Sequence, residues 1–328
     1  MRPPLPGCWD GPVSRRSSSS ARLGLGLAAI GRPAYITLGR DTDLPADRSP
    51  AALEARAHEL LDAAAALDVG YVDAARSYGR AEQFLGSWLR AREATPFVAS
   101  KWGYRYTADW RPDATEHEVK DHGPATFERQ LAETRELLGP WLRLYQVHSL
   151  TVDSPLWTDV ALQHRLAGLR ADGVEVGFST SGPAQADAVR RGLALTVDGA
   201  PLFSSVQTTW NLLEPSAGPA LAEAHDAGVR VVVKEALANG RLTDRGTWAG
   251  TALAHAAADA GVGVDTVALG AALARPWSDV VLSGAVTVAQ LHSNAAARDL
   301  AADLATDGLV EPEDAAGYWA ARSALGWR

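Results

Sequence analysis

Cysteine is almost missing from this chain. Its 328 residues contain one, Cys8, so no disulfide framework and no thiolate metal site can form within one copy, which fits a reducing cytoplasm. A basic excess is also lacking. The formal net charge is -8 and the pI about 5.5, against the clustered Lys and Arg by which a general nucleic-acid surface neutralises phosphates. No run approaches the roughly 18 uninterrupted apolar residues of a membrane-spanning helix. Arg15 and Arg16 are followed by Ser17 to Ser20 and not by an apolar segment, so an export signal is not expected. Residues 1–20, rich in Pro, Arg and Ser, read as a disordered extension. A dinucleotide fingerprint is missing as well. "GLGLAAIG" (24–31) spaces its glycines G-x-G-x-x-x-x-G, and "RPAYITLGRD" follows in place of a helix. That excludes a Rossmann reading and leaves tight turns at the start of another fold.

What is present is a regular alternation. From residue 21 onward eight short apolar runs recur: "LGLGLAAI" (23–30), "YVDAA" (71–75), "FVASK" (97–101), "LRLYQVH" (142–148), "VEVGFST" (174–180), "SSVQTT" (204–209), "RVVVKEA" (230–236) and "DVVLSG" (279–284). Helical patterns lie between them. Residues 49–70 have Ser49 as N-cap, Pro50 at the first helical position and Gly70 as terminator. Residues 124–139, 158–173 and 218–228 follow the same scheme. Continuous apolar strands joined by amphipathic helices imply a parallel sheet covered on its faces. Eight such units predict an α/β fold, a (β/α)8 TIM barrel forming one domain over residues 21–328. A further helix at 312–323 is expected to fold over the barrel mouth. Long loops at 102–123 and 238–250 leave strand C-terminal ends, where barrel active sites are built.

Polar residues collect at those ends. Asp73 closes the second run and Tyr78 follows in the turn; Lys101 closes the third run and His148 the fourth. Singly, each is an ordinary rim residue. Together their chemistry is complementary. A phenol is a weak acid at neutral pH, and a nearby ammonium favours its phenolate. A buried Lys needs a carboxylate partner, which Asp73 can supply. A His beside the phenol can hydrogen-bond a carbonyl oxygen or pass a proton.

On these stretches, "YVDAARSYG", "VASKWG" and "LYQVHSL", with the entry "RLGLGLAAIG", the chain resembles the aldo-keto reductase superfamily from about residue 22 to about residue 300. The resemblance implies a catalytic tetrad of Asp73, Tyr78, Lys101 and His148. It implies an NAD(P)H-dependent oxidoreductase that reduces an aldehyde or ketone to the alcohol without a metal. Tyr78 would be the proton donor, Lys101 paired with Asp73 would lower the tyrosine pKa, and His148 would orient the carbonyl. A small-molecule carbonyl substrate, no nucleic-acid or membrane partner, a monomer and a cytoplasmic location are expected.

The same resemblance assigns cofactor contacts to Ser179, Thr180 and Gln207, to Leu237, Gly240 and Leu242, and to Gly284, Ala285, Val286, Gln290 and Asn294. Two departures stand out. Thr180 occupies a position where relatives carry Asn, and Lys234 stands where a nicotinamide-stacking aromatic is expected. Gly284 and Gln290 also replace basic residues that read the 2′-phosphate, a role left to Arg241 or Arg245. NADPH is the expected cofactor, with NADH the alternative. Trp102, Tyr104, Tyr106, Trp110 and Trp157 are expected to line the substrate pocket with the C-terminal "GYWAARSALGW", and Trp210 to add an aromatic face. His117 and His122 share a loop but lack a third ligand for a metal. A competing reading is an NADP(H)-binding regulatory or partner subunit with little turnover.

Overall fold

Eight strands close into a parallel barrel: β1 (Arg22–Gly26), β2 (Tyr71–Asp73), β3 (Phe97–Trp102), β4 (Leu142–Leu150), β5 (Glu175–Thr180), β6 (Ser205–Thr209), β7 (Arg230–Lys234) and β8 (Val280–Ser283). Each pairs with its sequence neighbours, and β8 returns to β1. They are the eight runs expected from the sequence. The computed structural model describes residues 22–301 and 304–327, so the stretch expected to be disordered lies outside the described residues.

The outer layer consists of α1 (Pro50–Ala66), α2 (Ala81–Ala91), α3 (Pro124–Leu138), α4 (Val160–Gly168), α5 (Gln185–Ala194), α6 (Gly218–Asp226), α7 (Ala252–Ala260), α8 (Val264–Leu273) and α9 (Val288–Leu300). Ser49 caps α1 as expected, its hydroxyl accepting from Ala52 N at 3.3 Å. A last helix, α10 (Ala315–Ser323), starts three residues later than the sequence pattern predicts, because Asp314 caps it by accepting from Gly317 N at 2.9 Å. No single helix among the described residues is long and apolar enough to cross a membrane.

Inside the barrel the two-residue period of a strand decides what faces the axis. Tyr71, Phe97, Ala99, Leu144, Val232, Val280 and Leu282 form an apolar cluster of their own, with the Tyr71 and Phe97 rings stacked at 5.2 Å. Two residues beyond Tyr71 is Asp73; two beyond Ala99 is Lys101; two beyond Val232 is Lys234. The plug fills the barrel's lower half, and the same faces of β2, β3 and β7 then deliver charged side chains at the mouth.

Two glycines fix the turn that carries Tyr78. Gly31 O accepts from Arg80 N at 2.7 Å. A Cβ on Gly31 would lie 2.4 Å from Tyr78 O, and one on Gly79 (φ +60°) would lie 2.5 Å from Gly31 O. The last glycine of "GLGLAAIG" thus serves close backbone approach and not a phosphate.

Gly31→Ala should destabilise the protein by roughly 1–3 kcal/mol through overpacking. Gly70→Ala, where a Cβ would meet nothing within 4 Å, is the control. Urea unfolding midpoints compare the two variants.

Candidate active site

The four side chains expected to work together meet at the mouth. Lys101 Nζ pairs with Asp73 Oδ2 and also donates to Ala74 O at 3.1 Å and to the Tyr78 hydroxyl at 3.4 Å. The Tyr78 hydroxyl lies 3.4 Å from His148 Nε2. His148 Nδ1 is 3.5 Å from Ser77 Oγ. Lys101 is 0% exposed and Asp73 2%, so the pair is desolvated and needs further donors to be tolerated. Asp73 Oδ1 accepts from Gln207 Nε2 at 2.9 Å and from Gln146 Nε2 at 3.4 Å. Gln207, expected to touch a cofactor, holds this carboxylate while also facing the cavity.

Burial sets the protonation states. It pushes the Tyr78 phenol well above its usual range, the Asp73 charge adds to the rise, and Arg32 opposes it. Desolvation outweighs the opposing Arg32 charge, and Tyr78 is a neutral phenol in this state. His148 is pushed well below the usual histidine range by burial, then by the charges of Lys101, Lys234 and Arg32. It is a neutral imidazole. Its backbone is held from behind by His122, whose Nε2 donates to His148 O at 2.7 Å while Nδ1 meets Ser154 Oγ at 2.8 Å.

A cavity of about 860 Å³ opens on this group, lined at one end by Tyr78, His148, Gln207 and Lys234. At its far end are Leu237 and Gly240, then Gly284, Ala285, Val286, Gln290 and Asn294, all of which the sequence assigned to cofactor binding. Two of the backbone N–H groups there are engaged internally. Ala285 N donates to Ser283 Oγ at 3.2 Å and Val286 N to Gln290 Oε1 at 3.0 Å. Thr287 caps α9, accepting from Gln290 N at 3.1 Å.

Three cofactor assignments fall outside the cavity lining. The Ser179 hydroxyl accepts from Ser149 N at 2.8 Å, filling an irregular step where β4 leaves register with β5 and Ser149 adopts φ +56°. The Thr180 hydroxyl is turned to Thr208 Oγ1 at 3.1 Å. Both are fully buried, and Ser181 faces the cavity in their place. Leu242 is packed into the main apolar core.

The aromatic pocket is also redrawn. Tyr104 lines the cavity, its ring 4.9 Å from that of His148. Trp102 does not; it is fully buried against Phe127 at 5.0 Å. Trp110 turns away to donate to Arg48 O at 2.8 Å, and Trp210 packs on Trp277 at 5.6 Å under the Arg275 guanidinium. Tyr106 and Trp157 are likewise not among the lining residues. The C-terminal segment expected in the pocket contributes Arg322, Ser323 and Trp327, and the aromatic the sequence reading overlooked is Tyr35. Trp327 stacks on His117 at 4.4 Å and lies 4.6 Å from the Arg32 guanidinium, which itself spans the Tyr35 and Tyr78 rings. Arg32, Arg40 and Glu118 were missed too, since nothing local marks a charged residue between barrel strands as cavity lining.

The structure is a closed (β/α)8 barrel whose mouth joins a Tyr, a His and a buried Lys–Asp pair on one cavity. The chain belongs to the aldo/keto reductase family, whose model matches residues 23–306. Among proteins of curated function none matches. Solved structures do. The glycerol dehydrogenase AKR11B4 from Gluconobacter oxydans superposes with a TM-score of 0.65 at 19% identity, covering 92% of this chain and 96% of its own. The aldo-keto reductase AKR11C1 from Bacillus halodurans, in its holo form, gives 0.61 at 20%, covering 94% and 92%.

Asp73→Asn should cost about 3–5 kcal/mol by leaving Lys101 buried without its carboxylate. Adding Lys101→Met should recover part of that loss, read as a rise in the guanidinium unfolding midpoint of the double variant over the single.

Proposed function

We propose that the protein reduces an aldehyde or ketone to the alcohol with a nicotinamide dinucleotide, Tyr78 supplying the proton. The observation that carries this reading is the Tyr78 hydroxyl, 3.4 Å from both Lys101 Nζ and His148 Nε2 at the cavity wall. When bound, the dinucleotide supplies hydride to the carbonyl carbon. Tyr78, neutral through burial, gives its proton to the carbonyl oxygen. The Lys101 ammonium faces the phenolate left behind, held at that spot by Asp73. His148, also neutral, has an N–H to orient the carbonyl oxygen. In the reverse direction the phenolate is the base.

The cavity fits such a cofactor chemically. Arg40 lines it, donates to Ala29 O and Arg32 O, and keeps Nε and Nη1 without partners. Burial lowers its pKa to about 9, the state of a cation placed for an anion it has yet to meet. The loop after β1 and the loop after β7 clasp over this region. Leu38 N donates to Asn239 O at 2.9 Å, and Asn239 Nδ2 to Ile36 O at 2.8 Å.

At the far end the charge favours NADH over the NADPH expected from the sequence. Asp43, Asp244 and Asp265 line it. Arg245 is tied to Asp43 at 2.5 Å, and Arg241 to Glu313, so neither arginine nominated for a 2′-phosphate is free. Carboxylates suit a ribose hydroxyl better than a phosphate dianion.

Tyr78→Phe should lower the reduction kcat by about 10²–10⁴ with dinucleotide affinity unchanged by fluorescence titration; retained turnover would refute the mechanism. Because Tyr78 is held protonated, reduction should keep its proton donor through mildly alkaline pH, while alcohol oxidation, which needs the phenolate, should rise with pH. In the same titration NADH should bind at least as tightly as NADPH.

A further inference from the structure

We propose that Lys234 anchors a carboxylate of the substrate, so that the favoured substrates are carbonyl compounds that also carry an acid group. This rests on the reading of the cavity as a carbonyl-reducing site and names its substrate class.

The chain is sparing with lysine. Of its 31 basic residues three are Lys: Lys101, Lys120 and Lys234. Lys101 is committed to Asp73. Lys234, the last residue of β7, lines the cavity with Tyr78, His148 and Gln207. Its Nζ donates to Thr209 Oγ1 at 2.7 Å and stands 3.7 Å from Glu235 Oε1. That carboxylate is already taken. Arg322, on α10, grips both of its oxygens, Oε2 through Nε at 2.8 Å and Oε1 through Nη2, and the Thr209 hydroxyl donates to Oε2 at 3.2 Å.

Pairing the charges at this end of the cavity leaves a remainder. Arg32 is matched by Glu118 at 2.8 Å, and Lys101 by Asp73. Glu235 alone serves both Arg322 and Lys234. Around Glu235 the cations outnumber the carboxylate two to one, in a wall whose titratable neighbours Tyr78 and His148 are both neutral. A buried surplus cation is costly without an anion. A lysine ammonium, a compact charge on a flexible stem, can turn toward a ligand more readily than a stacked guanidinium. Proton transfer does not require it, because Tyr78 and His148 already address the carbonyl oxygen. A second anchor on the substrate's acid group would fix the carbonyl between them.

The charge on Lys234 also has a pH limit. Its surroundings are Glu235 next in the chain, Thr209 on β6, Lys101 on β3, His148 on β4, and Arg322 with the Trp319 ring at 5.8 Å on α10. Burial lowers its pKa to about 8, opposed by Glu235 and assisted by Arg322 and Lys101. Preference for an acid should therefore be full below pH 8 and fade above it.

The test compares ω-oxo carboxylic acids of increasing chain length with their methyl esters, at saturating dinucleotide, in the wild type, Lys234→Met and Lys234→Arg. The wild type should favour the best acid over its ester, and Lys234→Met should lower that ratio of kcat/KM by at least about tenfold, with Lys234→Arg restoring part of it. An unchanged ratio, or an effect of Lys234→Met confined to dinucleotide affinity, would overturn the proposal. If the wild type reduces neither acids nor esters, the carbonyl-reduction reading fails, and calorimetric binding of hexanoate against hexanamide decides the anchor separately. Tighter hexanoate binding that disappears in Lys234→Met supports it; equal binding of the two ligands refutes it.

Discussion

Lys101 and Asp73 bring two opposite charges out of water under the mouth of the barrel, and much of the site follows from keeping them there. Desolvation costs several kcal/mol per ion, and mutual attraction offsets that only when the remaining donors and acceptors are also satisfied. Here the satisfaction is distributed. Gln146 on β4 and Gln207 on β6 donate to Asp73, while Ala74 O and the Tyr78 hydroxyl accept from Lys101. No two adjacent strands could supply that set. Closure of the barrel brings β2, β3, β4 and β6 around one point, so the ion pair and the fold depend on each other.

The same burial governs reactivity. An ammonium near a phenol favours the phenolate, yet the Tyr78 pKa moves upward because the ring is enclosed and the Asp73 charge lies close. A neutral Tyr78 beside a neutral His148 is the state from which a proton can be given to an oxygen that is gaining charge. Lys234 then stands out as the charge this arrangement does not explain, since its nearest carboxylate is committed to Arg322.

The C-terminal segment completes the cavity, as its place after the barrel predicts, but through partners that local sequence does not announce. Arg322 reaches Glu235 across 87 residues, and Trp327 lies over Arg32 beside Tyr35 and His117. Trp102 and Trp110 looked like pocket residues because they belong to the long 102–123 stretch at the mouth, and Trp210 because it follows a strand end. Each is instead spent on packing or on a backbone carbonyl. Alternation explains Trp102: it follows Lys101 on β3, so when Lys101 faces the axis Trp102 must face outward, onto Phe127.

The sequence by itself determined the eight strands, the N-cap of the first helix and the identity of the four residues at the mouth, whereas that helix ends at Ala66 with Leu67 as its cap and not at Gly70. These are local properties: apolar runs, capping chemistry and a two-residue period. The tertiary structure decided which polar residues share a space. Ser179 and Thr180 sit at an expected strand end but turn their hydroxyls to Ser149 and Thr208, because the barrel's register offered those partners first. Arg40, Arg32 and Trp327 reach the cavity from loops and the chain's end, where no periodicity constrains direction. Whether a charge is free or matched depends on neighbours far along the chain, and so only the folded barrel reveals that Lys234 shares its one carboxylate with Arg322.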